Sequence, residues 1–177
     1  MRREAAGAGF KTQPPDAADT REIIAGLMKR GENVALEVKT GGRGDVTDTR
    51  VAWKFERGLP DVASPLYYQG RVYFVKDGGM MSCSEASTGK AIYSQERLNA
   101  VGNYYASPVA ADGRIYLFSL TGKATVVKAG GEKPEVLHQA EFGERIAATP
   151  ALVGNSIYVR TQSKLYAIGH SDPRSAQ

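Results

Sequence analysis

The sequence predicts an all-β fold built from repeated four-stranded antiparallel units, and three observations support this prediction. A Ser-Pro or Thr-Pro dipeptide precedes an apolar run three times, at Ser64-Pro65, Ser107-Pro108 and Thr149-Pro150, with spacings of 43 and 42 residues. A glycine and then a strand-forming segment follow each of these dipeptides. Glycine (20) and tyrosine (9) are frequent, which suits short strands joined by tight turns. Self-similarity at about 40–45 residues is typical of propeller blades, so we expect a partial β-propeller.

The beginning of the chain is predicted to differ from the repeats. Residues 1–18 are rich in Ala, Gly, Pro and charge, and we expect a disordered lead there. Residues 19–32 are predicted to form one short helix, because Asp19 and Glu22 can make a capping box. Gly31 then stands where helices commonly end.

The partial propeller is predicted over residues 33–169, followed by a polar tail at 170–177. Alternating apolar and polar residues predict two strands of a half blade, at 33–39 and 49–56. Glycine-containing turns then divide the chain into blades at 63–98, 106–141 and 148–169, with the half blade at 33–56 before them. The expected blade strands are 63–68, 71–76, 80–85 and 90–96, then 106–111, 114–119, 123–128 and 135–140, and finally 148–153, 156–161 and 163–168. The third blade lacks a fourth strand, which leaves an unpaired edge.

Composition and charge exclude several classes of protein. With 177 residues, of which 42% are hydrophobic, the chain is long enough for one domain with a sizeable core. The net charge is +4, but Lys and Arg are scattered, whereas a nucleic-acid surface needs a concentrated basic stripe. The single cysteine, Cys83, permits neither an intrachain disulfide nor a Cys-based zinc site, and we expect it to be an inert core thiol. No apolar run approaches the ~18 residues of a membrane span.

The first residues resemble the start of a signal peptide without completing one. Met1-Arg2-Arg3 supplies the positive charge, but no apolar stretch of about 7–15 residues follows. We therefore expect no signal peptide in this chain as it stands, and localisation is left open.

The segment from Cys83 to Tyr93 carries a resemblance to a known family. It aligns with the turn motif Ala-x-Asp-x-x-Thr-Gly-Lys-x-x-Trp, in which Thr88, Gly89 and Lys90 match. Glu85 replaces the aspartate and Tyr93 replaces the docking tryptophan. Over about residues 33–169 the chain thus resembles the quinoprotein-type β-propeller, or PQQ-like repeat family.

The resemblance implies little about activity. Dehydrogenases of this family add a catalytic aspartate, a calcium site and often adjacent cysteines over the quinone, usually within eight blades. One cysteine excludes the last feature, and this chain holds about three and a half blades. We assign no catalytic, cofactor-binding or metal-binding residue. We expect no cofactor in this chain, and PQQ and calcium are suggested only by analogy with the family. The resemblance also suggests a periplasmic or secreted location for a full-length form.

The loops that lead into the inner strands are the candidate functional site. In propellers such loops gather at one mouth of the channel, and aromatic and Arg residues on loops are favoured at protein interfaces. An alternative is that Tyr104 and Tyr105 pack as wedges between neighbouring blades. The candidate rim residues are Asp61, Asn103, Tyr104, Tyr105, Glu144 and Arg145.

Two functions remain open from the sequence. The first is a non-catalytic repeat module that binds or scaffolds a protein or other ligand. The alternative is the C-terminal fragment of a PQQ-dependent dehydrogenase whose active-site blades are absent from this chain. For a partner we expect a protein, the missing blades of the same propeller, or a second copy of the chain.

Overall fold

The computed structural model describes residues 35–38, 43–45 and 47–169, and these form four antiparallel sheets. Each sheet is a meander in which strands adjacent in sequence pair with one another. This arrangement confirms the predicted all-β, partial-propeller fold. The predicted lead at 1–18, the helix at 19–32 and the tail at 170–177 lie outside the described residues.

The half blade consists of β1 (Ala35–Val38) and β2 (Val51–Phe55), which pair antiparallel. A one-turn helix, α1 (Thr47–Arg50), stands immediately before β2. The prediction that a strand begins at residue 49 was therefore wrong by two residues. Asp48 in the first turn and Arg50 in the last suit the helix dipole, which explains the local preference.

The three blades follow in order along the chain. The first two have four strands each, and the third has three. The first blade is β3 (Leu66–Tyr68), β4 (Arg71–Lys76), β5 (Met80–Glu85) and β6 (Ala91–Arg97). The second blade is β7 (Val109–Ala111), β8 (Arg114–Phe118), β9 (Lys123–Lys128) and β10 (Glu135–Glu141). The third blade is β11 (Ala151–Val153), β12 (Ser156–Arg160) and β13 (Leu165–Gly169).

Tight turns join the two inner strands of each four-stranded blade. Gln69 and Gly70 have φ values of 51° and 75°, and Asp112 and Gly113 have 50° and 71°. Two successive residues with positive φ match the right-handed twist of a two-residue hairpin. Glycine at the second position removes the steric cost, which is why this signal was readable from the sequence.

The core lies between successive sheets. Tyr73 and Met81 of the first blade pack against Ile115 of the second in one buried cluster. Phe118 of the second blade packs against Val159 of the third in another. The first blade is therefore packed against the second, and the second against the third, as in propellers, while Val153 and Leu165 of the third blade remain exposed.

Hydroxyl groups link the segments that lead into the three inner strands. The backbone N–H of Ser64 donates to Ser107 Oγ at 2.9 Å, and the N–H of Ser107 donates to Thr149 Oγ1 at 2.9 Å. These are the residues of the repeated Ser/Thr-Pro dipeptide. The dipeptide thus marks a hydrogen bond between blades, which we call the hydroxyl relay.

The half blade is attached to the first blade through Trp53. Its indole Nε1 donates to the Ala86 carbonyl at 2.7 Å, and its ring lies against Gly89. Tyr93, which replaces the family's tryptophan, is buried, but its hydroxyl contacts no hydrogen-bond partner in the described part of the chain. Cys83 is fully buried, as expected for a core thiol, and burial raises its pKa.

Candidate partner-binding rim

Three of the six predicted rim residues line one groove. Asn103 comes from the loop before β7, and Glu144 and Arg145 come from the loop before β11. The groove has a volume of about 440 Å³ and is completed by Gly102, Leu120, Thr121 and Gly143. The expected gathering of loops at one rim is therefore present for the second and third blades. Asp61 and Tyr105 are exposed but are not among the residues that line this groove.

Tyr104 belongs to the core and was wrongly expected to be a contact residue of an exposed rim. Only 1% of the residue is exposed, and its hydroxyl donates to the Ala100 carbonyl at 2.8 Å. Its backbone N–H donates to Asp77 Oδ1 at 2.7 Å, which ties the loop to the first blade. Burial raises the pKa of Tyr104 to about 12. Tyr104 therefore packs between two neighbouring blades, which was the alternative expectation for this residue.

Glu144 is engaged by the turn that joins β12 to β13. Its carboxylate accepts hydrogen bonds from Thr161 Oγ1 at 2.6 Å and from the Ser163 hydroxyl at 2.8 Å, and it pairs with Lys164 Nζ at 3.0 Å. The Thr161 hydrogen bond contributes most to lowering the pKa of Glu144 to about 2, followed by Ser163 and Lys164. Glu144 therefore fastens the third blade to the preceding loop.

Arg145 is the exposed charge at the centre of the rim. It also lines a second, adjoining groove of about 470 Å³, together with Ala147, Ala148, Arg160, Thr161 and Gln162. Neither Arg145 nor Arg160 forms an ion pair with any carboxylate of the described residues. With Glu144 neutralised by Lys164, the two grooves present net positive charge to a ligand.

Exposed apolar side chains accompany this charge on the same set of loops. Val101 is 74% exposed, Val62 is 57% exposed and Tyr105 is 39% exposed. Val62 and Val101 were missed in the sequence analysis, although an apolar residue inside a predicted loop was a visible signal. Arg160 was missed because it lies at the end of a predicted strand.

Neither a metal cluster nor a membrane-spanning helix is found among residues that the structure describes. No group of three or more His, Cys, Asp or Glu side chains there is placed to hold a metal ion. No helix in the same ranges is both long enough and apolar enough to cross a membrane.

The sheets and the inter-blade contacts define this protein as a partial β-propeller of PQQ-like repeats. Residues 43–174 match the family model described as the outer membrane protein assembly factor BamB, and the chain belongs to that family. The crystal structure of BamB from Moraxella catarrhalis is similar, with a TM-score of 0.55 and 18% sequence identity. The match covers 68% of this chain and 37% of that one, so the chain spans well under half of the BamB structure.

Two further comparisons are less informative. A europium-containing methanol dehydrogenase matches with a TM-score of 0.40 and 12% identity, over 55% of this chain and 20% of that one. Among curated protein sequences, none matches the chain.

Proposed function

We propose that this chain is a non-catalytic, protein-binding part of a β-propeller that serves outer-membrane protein assembly. The family's description supports the process, and on the same ground we propose a location on the periplasmic side of the outer membrane. The observation that carries the proposal is exposed Arg145 at the junction of the two rim grooves. Fold alone would not carry it, since one fold hosts many functions.

The rim has the composition of a protein-binding surface. Arg and Tyr are the residues that most often anchor interfaces, and here Arg145 and Tyr105 are both exposed on loops. Val101 adds an exposed apolar side chain, while Tyr104 and Glu144 fix the loops from beneath. A fixed loop loses little conformational entropy on binding, which favours affinity. We propose a partner segment that brings a carboxylate to Arg145 and apolar side chains to Val101 and Tyr105.

Site-specific crosslinking tests this proposal. A photoreactive amino acid is placed at Tyr105 or Arg145 in living cells, with exposed Arg97 on the outer strand β6 as the matched control position. We expect both rim positions to crosslink the same component of the outer-membrane protein assembly apparatus, and the control position to crosslink none. Arg145→Glu should abolish the crosslink from Tyr105, whereas Arg97→Glu should leave it intact. Identical crosslinks from rim and control positions, or none at all, would contradict the proposal.

We also propose that the chain itself holds no quinone cofactor. The family's dehydrogenases often carry adjacent cysteines over the quinone, and this chain has a single cysteine, which is buried. Calorimetric titration of the purified chain with PQQ and calcium should show no saturable heat. Saturable binding with one quinone per chain would instead favour the dehydrogenase-fragment alternative.

A further inference from the structure

The loop over residues 98–105, which leads from the first blade into the second, departs from the repeat. Six residues before each repeat Ser or Thr, the other two rim loops have Gly58 and Gly143, whose φ values are 68° and 69°. The 98–105 loop has Val101 at this position. A β-branched residue adopts a left-handed backbone only with strain, so this loop follows another path. Asn99 takes the left-handed conformation instead, with a φ of 53°.

The body of the protein holds this path through the carbonyl groups of the loop. The carbonyls that accept a hydrogen bond are, in chain order, those of Leu98, Asn99, Ala100, Gly102 and Asn103. Gln139 Nε2 donates to the first two at 3.1 Å and 3.5 Å, and the Tyr104 hydroxyl donates to the third at 2.8 Å. The N–H groups of Gly78 and Leu120, in turns of the first and second blades, donate to the last two at 2.9 Å and 2.7 Å. A partner therefore meets these carbonyls already paired.

Two side chains from different blades hold the loop from opposite ends. Gln139 lies on β10 of the second blade and engages the start of the loop. Asp77 lies in a turn of the first blade, and its Oδ1 accepts from the Tyr104 N–H at 2.7 Å. At the repeat position of Asp77 the second blade has Leu120, which donates to the loop with its backbone N–H. The carboxylate is therefore a feature of this one junction and is not required by the repeat.

Exposed and buried residues alternate along the fixed loop. Val101 is 74% exposed, Tyr105 is 39% exposed and Asn103 between them is exposed as well. Ala100 and Tyr104 are each only 1% exposed and anchor the loop in the core. A backbone that is already fixed loses little conformational entropy when a partner covers its apolar side chains. The arrangement favours binding through the exposed side chains.

We propose that the 98–105 loop is a preformed recognition loop for a protein partner. Val101 and Tyr105 make the apolar contacts, next to the charge that Arg145 presents. Asp77 and Gln139 are positioning residues, which act through the backbone of the loop. Because its carbonyls are occupied, the loop fits an apolar protein surface that receives side chains rather than a strand that pairs with it. This inference rests on the proposed function and deepens it.

Crosslinking from inside the loop tests the contact. A photoreactive amino acid at Asn103 should capture the same component of the outer-membrane protein assembly apparatus as one at Arg145. Val101→Ser should lower the yield from Asn103 about fivefold or more, because it removes an apolar contact. The matched control is Val153→Ser, since Val153 is an equally plain exposed valine, 61% exposed on the third blade. The control should leave the yield unchanged.

Amide hydrogen exchange in the purified full chain tests the positioning role without any partner. The Tyr104 N–H should exchange slowly in the parent chain and about five- to tenfold faster in Asp77→Ala, which removes its acceptor. Asp77→Asn keeps an oxygen at the same position, so it should retain the parent rate. The crosslink yield from Asn103 should follow the same order, with Asp77→Ala low and Asp77→Asn close to the parent.

The outcomes separate this inference from the proposed function. Crosslinks from Arg145 with none from Asn103 overturn the recognition loop and leave the proposed function standing, whereas no crosslink from either position contradicts both. A yield that Val101→Ser leaves unchanged, or that Val153→Ser lowers equally, also overturns the recognition loop. Equal Tyr104 exchange in the parent chain and in Asp77→Ala overturns the positioning role.

Discussion

The indole ring of Trp53 lies over the turn at Gly89, and no side chain larger than hydrogen fits beneath it. A Cβ built on Gly89 comes within 2.6 Å of two indole carbons, and the Gly89 φ is +69°. The indole Nε1 is fixed at the same time by its 2.7 Å bond to the Ala86 carbonyl. This contact joins the half blade to the first blade and requires glycine for both space and backbone conformation.

Gly89→Ala should lower the free energy of unfolding by about 2–4 kcal/mol, since it adds overlap with Trp53 to the cost of a left-handed backbone. Gly70→Ala is the matched control, because Gly70 has a φ of +75° but nothing within 4 Å of its Cβ position. The control should lose only about 1 kcal/mol. Urea unfolding measures both, and equal losses would mean that the Trp53 contact does not constrain residue 89.

Ser107→Ala should lower stability by about 1 kcal/mol, because the Ser64 N–H then loses its acceptor in the hydroxyl relay. Ser107→Thr should be close to neutral, since Thr149 performs the same role one blade further on. Unfolding midpoints in urea distinguish the two. A Thr variant as unstable as the Ala variant would count against the hydroxyl as the stabilising group.

Tyr73→Phe and Tyr93→Phe should have different effects on stability, although both tyrosines are buried in the same cluster. The Tyr73 hydroxyl accepts from Gly130, so its loss should cost about 1–2 kcal/mol. The Tyr93 hydroxyl makes no hydrogen bond within the described ranges, so its removal should leave stability unchanged or raise it by up to ~1 kcal/mol. A large loss in Tyr93→Phe would reveal a partner for that hydroxyl.

Glu144 should make stability depend on pH in the acid range. Its pKa in the folded chain is about 2, against an ordinary value of 4.5, so the folded state favours the ionised carboxylate. The resulting stabilisation is complete above the ordinary pKa and is lost as pH falls from 4.5 towards 2. Glu144→Gln should therefore show a flatter dependence of Tm on pH over this window than the parent chain. Equal slopes of Tm against pH for the variant and the parent chain would contradict the stabilising hydrogen bonds of Glu144 with Thr161 and Ser163.

Much of the blade architecture was predictable because local turn chemistry and a long repeat agree. Strands β4 and β5 were predicted with the bounds that the structure shows, since Gly70 and the glycines at 78 and 79 delimit them. The start of β2 was misplaced because four residues of helix are too short to leave a periodic signal.

The rim was harder to predict, because neighbouring loop residues differ in burial for tertiary reasons. Tyr104 and Tyr105 look alike in the sequence, but the side chain of Tyr104 is buried and donates to the Ala100 carbonyl, while its backbone N–H donates to the Asp77 carboxylate. The role of Glu144 depends on a turn 17 residues later, which no local pattern indicates. Arg145 lines the first rim groove, and the second groove that it lines depends on Arg160 from the neighbouring strand.

Every link of the hydroxyl relay is made in the same sense, with the earlier residue giving its amide proton and the later one its hydroxyl oxygen. The array is therefore directional, because each blade donates to the next blade through the same backbone group. Duplicating or deleting a whole repeat would preserve the direction of this hydrogen bond at the new junction. Propellers of different sizes could arise in this way wherever the apolar packing at the new junction also matches, because the hydroxyl residue that opens each repeat makes the same hydrogen bond between blades.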